Sequence, residues 1–125
     1  MRLLLDTHTF LGAVAGSPLL KPAARRVLES ADQVFVSAVS IWEVAIKARL
    51  GKIDADPHAL ASAIEGSGFR ELAVRSTHAA GVSSLAHYHN DPFDRLLIAQ
   101  AMAEPLRLVT ADTVLAQYSD IVMLV

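Results

Sequence analysis

Residues 89–101 read HNDPFDRLLIAQA, a polar segment with a proline that runs directly into a strong helix-forming segment. Pro92 suits the first turn of a helix, and Asp91 before it is a good N-cap because its carboxylate can accept first-turn amides. The segment therefore predicts a helix from about Pro92 to Ala103. Asp94 lies in its first turn, where it either favours the positive helix end or points into a shared acidic site. The residues predicted to pack this helix inward are Phe93, Leu96, Leu97, Ile98 and Ala101.

A second acid follows an apolar run near the start of the chain. Arg2–Leu5 is a short run of the kind that forms a buried parallel strand, and it stops at Asp6 and Thr7. Either residue can cap the helix that follows. Residues 16–18, Gly-Ser-Pro, are expected to break that helix.

Strands and helices alternate through the rest of the chain. Further strands are predicted at residues 34–36, 71–74, 107–109 and 121–124. Helices are predicted to begin at Pro22, at Ser37, at Asp56-Pro57, at Ser76 or Thr77, and around Val114. This alternation favours an α/β domain with a parallel sheet and right-handed crossovers.

The helix after the second strand carries two further signals. Ser40 and Glu43 have the spacing of a capping box, and Gly51 is expected to end the helix as a C-cap. Four apolar residues recur there at helical intervals: Trp42, Ala45, Ile46 and Leu50.

Composition limits the classes of protein that the chain can belong to. Its 125 residues suit one domain, and 53% of them are hydrophobic, which is ample for a core. The chain has no cysteine, so it forms neither disulfides nor a thiolate zinc site, which fits the cytoplasm. No apolar run approaches the roughly 20 residues of a membrane span. A net charge of −2 argues against a broad cationic surface for nucleic acid, but not against a nuclease whose metal ions supply the positive charge.

Four acids are predicted to meet at one edge of the sheet, beyond the carboxyl ends of the strands. Asp6 and Asp112 lie at or just past the ends of the first and fourth strands. Glu43 and Asp94 lie in the helices that follow the second strand and precede the fourth. Packed carboxylates repel one another, and Mg²⁺ or Mn²⁺ relieves that repulsion and can ready a water for attack on a phosphodiester. Thr110 is placed to orient one carboxylate.

Each acid also has a purely structural interpretation. Asp6 and Asp112 can serve only as N-caps, and Glu43 can be an exposed helical acid. Asp91 fits an N-cap best and ranks behind the others as a ligand. Independent caps need not share one edge of a sheet, and the set of four therefore favours a site.

The histidines at positions 8, 58, 78, 87 and 89 show no zinc spacing. His87 and His89 are expected to line a loop, and His8 to lie at the surface. Arg95 either contacts a phosphate or forms a surface ion pair. The chain contains neither a P-loop nor a glycine-rich dinucleotide turn.

The sequence resembles PIN-domain endoribonucleases of the VapC toxin type over essentially its whole length. A lone strand ending in Asp is weak evidence, but the order Asp, Trp-Glu, Asp-Pro-Phe-Asp-Arg, Thr-x-Asp in so short a chain is specific. The matching segments are LLDTH at 4–8, SAVSIWEV at 37–44, HNDPFDRLLIAQA at 89–101 and LVTAD at 108–112.

The resemblance implies a three-layer α/β/α fold, in which residues 1–125 form a single PIN domain with a five-stranded parallel sheet of order 3-2-1-4-5. It implies an Mg²⁺- or Mn²⁺-dependent endoribonuclease with catalytic metal ligands Asp6, Glu43 and Asp94 and with Asp112 as an auxiliary ligand. Thr110 matches the family's hydroxyl position. Asp91 and Arg95 match a motif of the subfamily.

The resemblance also implies partners. Members of the family usually act as toxins that cleave RNA, form homodimers and are neutralised by a small antitoxin lying across the active-site groove. Leu11 and Val14 on the first helix serve either such a dimer or the core.

Three other functions are compatible with parts of the pattern. A phosphoryl-transfer enzyme with Asp6 as nucleophile would need a second acid two residues later, where His8 stands. A non-catalytic module could receive a basic partner segment in an acidic pocket. An RNA-maturation nuclease would use the same acids on a different RNA.

Overall fold

Five parallel strands form the central sheet of the computed structural model, which describes residues 1–15 and 20–125. The order across the sheet is β3-β2-β1-β4-β5, which confirms the predicted order. In the middle of the sheet, Leu4 pairs with Phe35 on one side and with Leu108 on the other. The strands are β1 (Arg2–Leu5), β2 (Gln33–Ser37), β3 (Arg70–Leu72), β4 (Arg107–Thr110) and β5 (Val122–Leu124).

Within the described part of the chain, six helices surround the sheet, and two 3₁₀ turns, Val82–Ser84 and Leu115–Gln117, lie in the loops. The helix predicted around Val114 is the second of these turns. The predicted break at residues 16–18 lies outside the described residues. The helices are α1 (Thr7–Val14), α2 (Pro22–Ser30), α3 (Ala38–Arg49), α4 (Pro57–Gly66), α5 (Ser76–Gly81) and α6 (Pro92–Ala103).

Short polar side chains begin most of these helices, as the sequence predicts. Asp6, Ser37, Asp56 and Asp91 each accept a first-turn amide hydrogen. The capping box at Ser40 is wrong because Ser40 lies inside α3, behind the Ser37 cap.

Two predicted boundaries differ from those in the structure. The cap at Ser76 or Thr77 is wrong, since Arg75 precedes α5 and its amide donates to Nδ1 of His78 at 3.0 Å. Strand β3 ends at Leu72, and the Ala73 carbonyl beyond it accepts the side-chain amide of Gln100 at 3.3 Å.

Apolar side chains cover both faces of the sheet, because alternate strand residues point to opposite faces. Leu4 and Leu108 pack with Leu97 and Ile98 of α6 on one face. The other face is covered by α1, α2 and α4, and its buried cluster comprises Leu3, Leu5, Phe10, Val34, Val36, Ile64 and Val109. The result is the three-layer α/β/α arrangement.

The buried face of helix α3 is not the face that carries the apolar repeat. The apolar repeat correctly indicates a helix, but Trp42 is 56% exposed and Leu50 63% exposed. The buried face instead holds Val39, Ser40, Glu43 and Val44. The carboxylate of Glu43 therefore lies inside the protein. Among residues 1–15 and 20–125, no helix has the length and apolar character needed to cross a membrane.

Candidate functional site

The four predicted acids lie beyond the carboxyl edge of the sheet. Asp6 follows β1 directly and is 6% exposed, and Glu43 on α3 is 4% exposed. Asp94 lies in the first turn of α6, and Asp112 follows β4 by two residues. Strand ends and helix starts therefore bring these acids to one region of the fold.

Asp6 is both a helix cap and a member of this group. Its Oδ1 accepts the amide of Thr9 at 2.9 Å, and its Oδ2 accepts the hydroxyl of Thr110 at 2.6 Å. Thr110 Oγ1 also accepts the amide of Asp112 at 3.0 Å. One hydroxyl group thus donates to the Asp6 carboxylate and accepts from the backbone of Asp112.

Glu43 is held by a hydroxyl group and a cation. Oε1 accepts the hydroxyl of Thr7 at 2.7 Å, and Oε2 pairs with Lys47 Nζ at 2.5 Å. The hydrogen bond to Glu43 is the main cause that raises the pKa of Lys47, which Asp91 and Asp94 raise further. Glu43 therefore carries its own positive partner within α3.

Asp94 is the acid with the most perturbed protonation. Burial, followed by the charge of Asp91, raises the pKa of Asp94 to about 7. Glu43 and Asp6 add to this rise, while His89 opposes it. A carboxyl group resists ionisation when it is desolvated and close to other negative charges. The negative charges of the neighbouring acids thus contribute to the raised pKa of Asp94.

His89 joins this region, although the sequence placed it only in a loop. Its Nε2 lies 2.8 Å from Oδ2 of Asp112 and 3.4 Å from Oδ2 of Asp94. One ligand atom from each of these three residues lies within 4.8 Å of the others. The nearby capping acid at position 91 was the available signal, because it places His89 just before the helix that carries Asp94.

Asp91 and Arg95 support the loop before α6. Oδ1 of Asp91 caps the helix by accepting the amide of Phe93 at 2.8 Å. The Arg95 guanidinium donates to the carbonyls of Val82 and Ala86, at 3.3 and 3.0 Å, and to the hydroxyl oxygen of Tyr118 at 3.2 Å. These contacts take the place of the surface ion pair that the sequence allowed.

The donor set fits a hard divalent cation. Carboxylate oxygens are the preferred ligands of Mg²⁺ and Mn²⁺, and Asp94 and Asp112 already lie together. Asp6 and Glu43 stand outside that close group, held by Thr110 and by Thr7 and Lys47. Burial is the main cause of the raised pKa of Asp94, and the negative charges of Asp91, Glu43 and Asp6 raise it further.

Comparison with known proteins gives consistent results. The model of the PIN domain matches residues 3–121. Ribonuclease VapC22 from Mycobacterium tuberculosis is 33% identical over 117 residues, which covers 87% of this chain and 85% of that protein.

Solved structures share the fold at low sequence identity. A toxin–antitoxin complex from Klebsiella pneumoniae matches with a TM-score of 0.66 and 19% identity, covering 97% of this chain and 95% of that one. VapBC2 from Rickettsia felis, bound to a DNA fragment from the promoter, matches with a TM-score of 0.67 and 16% identity, covering 100% and 98%.

Proposed function

The chain belongs to the PIN-domain family, and we propose that it is a metal-dependent endoribonuclease of the VapC type that hydrolyses RNA phosphodiester bonds. Its catalytic acids are Asp6, Glu43, Asp94 and Asp112. The observation that carries this proposal is the position of Asp94, where burial and three neighbouring acids raise the carboxyl pKa to about 7. The ribonuclease relative supports the reaction and the substrate class.

Asp6, Glu43 and Asp94 would hold Mg²⁺ or Mn²⁺, and Asp112 would assist. When bound, such a cation supplies positive charge to the phosphodiester and activates a water nucleophile. The protein's own donors prepare the acids for this task. Thr110 fixes Asp6, Thr7 fixes Glu43, and the Asp91 cap fixes the first turn that carries Asp94.

The partners of the individual acids support a cation position near Asp6 and Asp94. Glu43 is paired with Lys47, whereas the hydrogen-bond donors to Asp6 are the hydroxyl of Thr110 and the amide of Thr9. Asp94 faces only the ring of His89 at 3.4 Å among the ion pairs of the described residues. Asp6 and Asp94 would hold a divalent cation, and its positive charge would oppose the repulsion that adds to the effect of burial on the pKa of Asp94.

We also propose that the protein is the toxin of a toxin–antitoxin pair, forms a homodimer, and is neutralised by a small antitoxin that lies across the acidic groove. Its relative VapC22 and the toxin–antitoxin complexes that share its fold support this part of the proposal. Cleavage of cellular RNA by the free protein would then restrain translation and growth.

Incubation of the purified protein with a structured RNA pool tests the proposal. Parallel reactions contain Mg²⁺, Mn²⁺ or EDTA, and Asp6→Asn serves as the variant. We expect cleavage with either ion and none with EDTA or with Asp6→Asn. Metal binding without cleavage of any RNA would favour the non-catalytic binding module, and cleavage confined to one precursor would favour RNA maturation.

A further inference from the structure

His89 lies between two acids of the site without belonging to the set of four. Its side chain is 18% exposed, and its Nε2 is 2.8 Å from the Asp112 carboxylate and 3.4 Å from that of Asp94. A histidine beside two carboxylates can be a metal ligand or a hydrogen-bond donor. The two roles require different tautomers of the ring.

The amide of Asp91 decides between these roles. Its nitrogen lies 3.0 Å from Nδ1 of His89, and an amide N–H can only donate. Nδ1 must therefore accept this hydrogen bond with its lone pair, which leaves the ring hydrogen on Nε2. Nε2 then has no lone pair to offer a metal ion, and its N–H points at the carboxylates.

We propose that His89 is a positioning residue that fixes the Asp112 carboxylate beside that of Asp94, so that the two acids face a divalent cation as a pair. This inference rests on the proposed function, because it concerns the same acids. Oδ2 of Asp112 accepts from His89 while Oδ1 accepts the amide of Val114 at 2.9 Å. One donor on each oxygen fixes the plane of the carboxylate, and each oxygen keeps a second acceptor direction for a cation.

The loop around His89 is built to hold the ring in place. The Tyr118 hydroxyl oxygen accepts the amides of Tyr88 and His89, at 3.1 and 2.9 Å. Arg95 donates to the same Tyr118 oxygen and to the His89 carbonyl, at 3.2 and 3.4 Å. The backbone of His89 is thus fixed on both sides of the residue, as a preorganised site requires.

Two substitutions distinguish the roles of the two ring nitrogens of His89. In His89→Gln the side-chain amide reaches the position of Nε2, so the donor to Asp112 is kept and the acceptor for Asp91 is lost. In His89→Asn the side-chain oxygen takes the position of Nδ1, so the loop hydrogen bond is kept and the donor to Asp112 is lost. His87→Asn is the matched control, because His87 is exposed in the same loop and contacts Asn90.

Mn²⁺ affinity, measured from the paramagnetic resonance signal of free Mn²⁺, is the first measurement. Loss of a group that orients a metal ligand typically weakens binding about tenfold or more. We expect such a loss for His89→Asn, whereas His89→Gln and His87→Asn stay within about threefold of the wild type. Melting curves in EDTA confirm that each variant is folded before its affinity is compared.

A double variant tests whether His89 acts through Asp112. His89→Asn should weaken Mn²⁺ binding much less in an Asp112→Asn background than in the wild type. Wild-type affinity in His89→Asn, or equal losses in the Asn and Gln variants, would overturn the inference while leaving the nuclease proposal intact. Failure of the wild type to bind Mn²⁺ would instead overturn the proposed function.

Discussion

Thr110 donates its hydroxyl hydrogen to Asp6, with 2.6 Å between Oγ1 and Oδ2, at the carboxyl ends of the paired strands β4 and β1. Both residues are buried, and the same hydroxyl oxygen accepts the amide of Asp112. The hydroxyl group therefore connects two of the four acids directly. Its loss should disturb the site more than the core.

Thr110→Val tests this connection with a side chain of nearly the same shape. Removing a hydrogen bond to a buried carboxylate should cost about 1–3 kcal/mol in the free energy of unfolding. RNA cleavage should fall about ten- to a hundredfold, because the orientation of a ligand is lost. Urea unfolding and cleavage rates measure the two effects, and the exposed Thr113→Val is the control. Full cleavage by Thr110→Val would show that the hydroxyl is dispensable.

The raised pKa of Asp94 makes the stability of the metal-free protein depend on pH. The carboxyl pKa of Asp94 is near its ordinary value of 3.8 in the unfolded chain and about 7 in the folded protein. The folded state thus binds the proton more tightly than the unfolded state does. This advantage in the free energy of unfolding is full below pH 4 and is lost as pH rises to about 7. The full advantage is at most about 4 kcal/mol.

Asp94→Asn removes this ionisation and should stabilise the metal-free fold. In EDTA its melting temperature should exceed that of the wild type by a margin that widens between pH 5 and pH 8. The comparison needs only thermal melts in matched buffers, with the exposed Asp120→Asn as the control. A margin that stays constant with pH would contradict the perturbed ionisation of Asp94.

Mn²⁺ should stabilise the wild type against heat at pH 8. A ligand present at 100 times its Kd adds about 2.7 kcal/mol to the free energy of unfolding. The melting temperature should therefore rise with Mn²⁺ concentration, and the rise should be much smaller for Asp94→Asn. Equal shifts in the two proteins would place the bound ion elsewhere.

Arg95→Lys should loosen the loop before α6 while leaving the fold intact. A lysine ammonium cannot span the carbonyls and the Tyr118 hydroxyl that the planar guanidinium joins. Hydrogen exchange at the amides of Tyr88 and His89 should accelerate, and cleavage should fall with it. Arg107→Lys, at the amino end of β4, should change neither measurement. Unchanged exchange in Arg95→Lys would contradict the supporting role.

The parts of this structure that the sequence predicts are those with local causes. The helix Pro92–Ala103 has the predicted bounds, and its start is encoded locally by the Asp91 cap and Pro92. The strand order follows from the resemblance to a known family. Asp6 and Asp112 stand next to predicted strand ends and Asp94 in a predicted first helical turn, and these local signals predict their common edge of the sheet.

The parts that were missed depend on distant contacts. His89 contacts Asp112 across 23 positions of the chain, and no pattern around residue 89 encodes that distance. The buried face of α3 carries Val39 and Val44 together with Glu43, which reaches Thr7 on α1, and not the apolar repeat of Trp42. Tertiary packing and charge determine these two features, and a single sequence shows both only indirectly.

The rate of RNA cleavage by Asp94→Asn beside Asp120→Asn tests the central claim most directly. Both substitutions replace a carboxyl group with an amide, but only Asp94 belongs to the acidic site, and Asp120 is exposed. With Mn²⁺ present and both proteins shown to be folded, we expect Asp120→Asn to cleave like the wild type and Asp94→Asn to show no cleavage. Full cleavage by a folded Asp94→Asn protein would contradict the assignment of the active site.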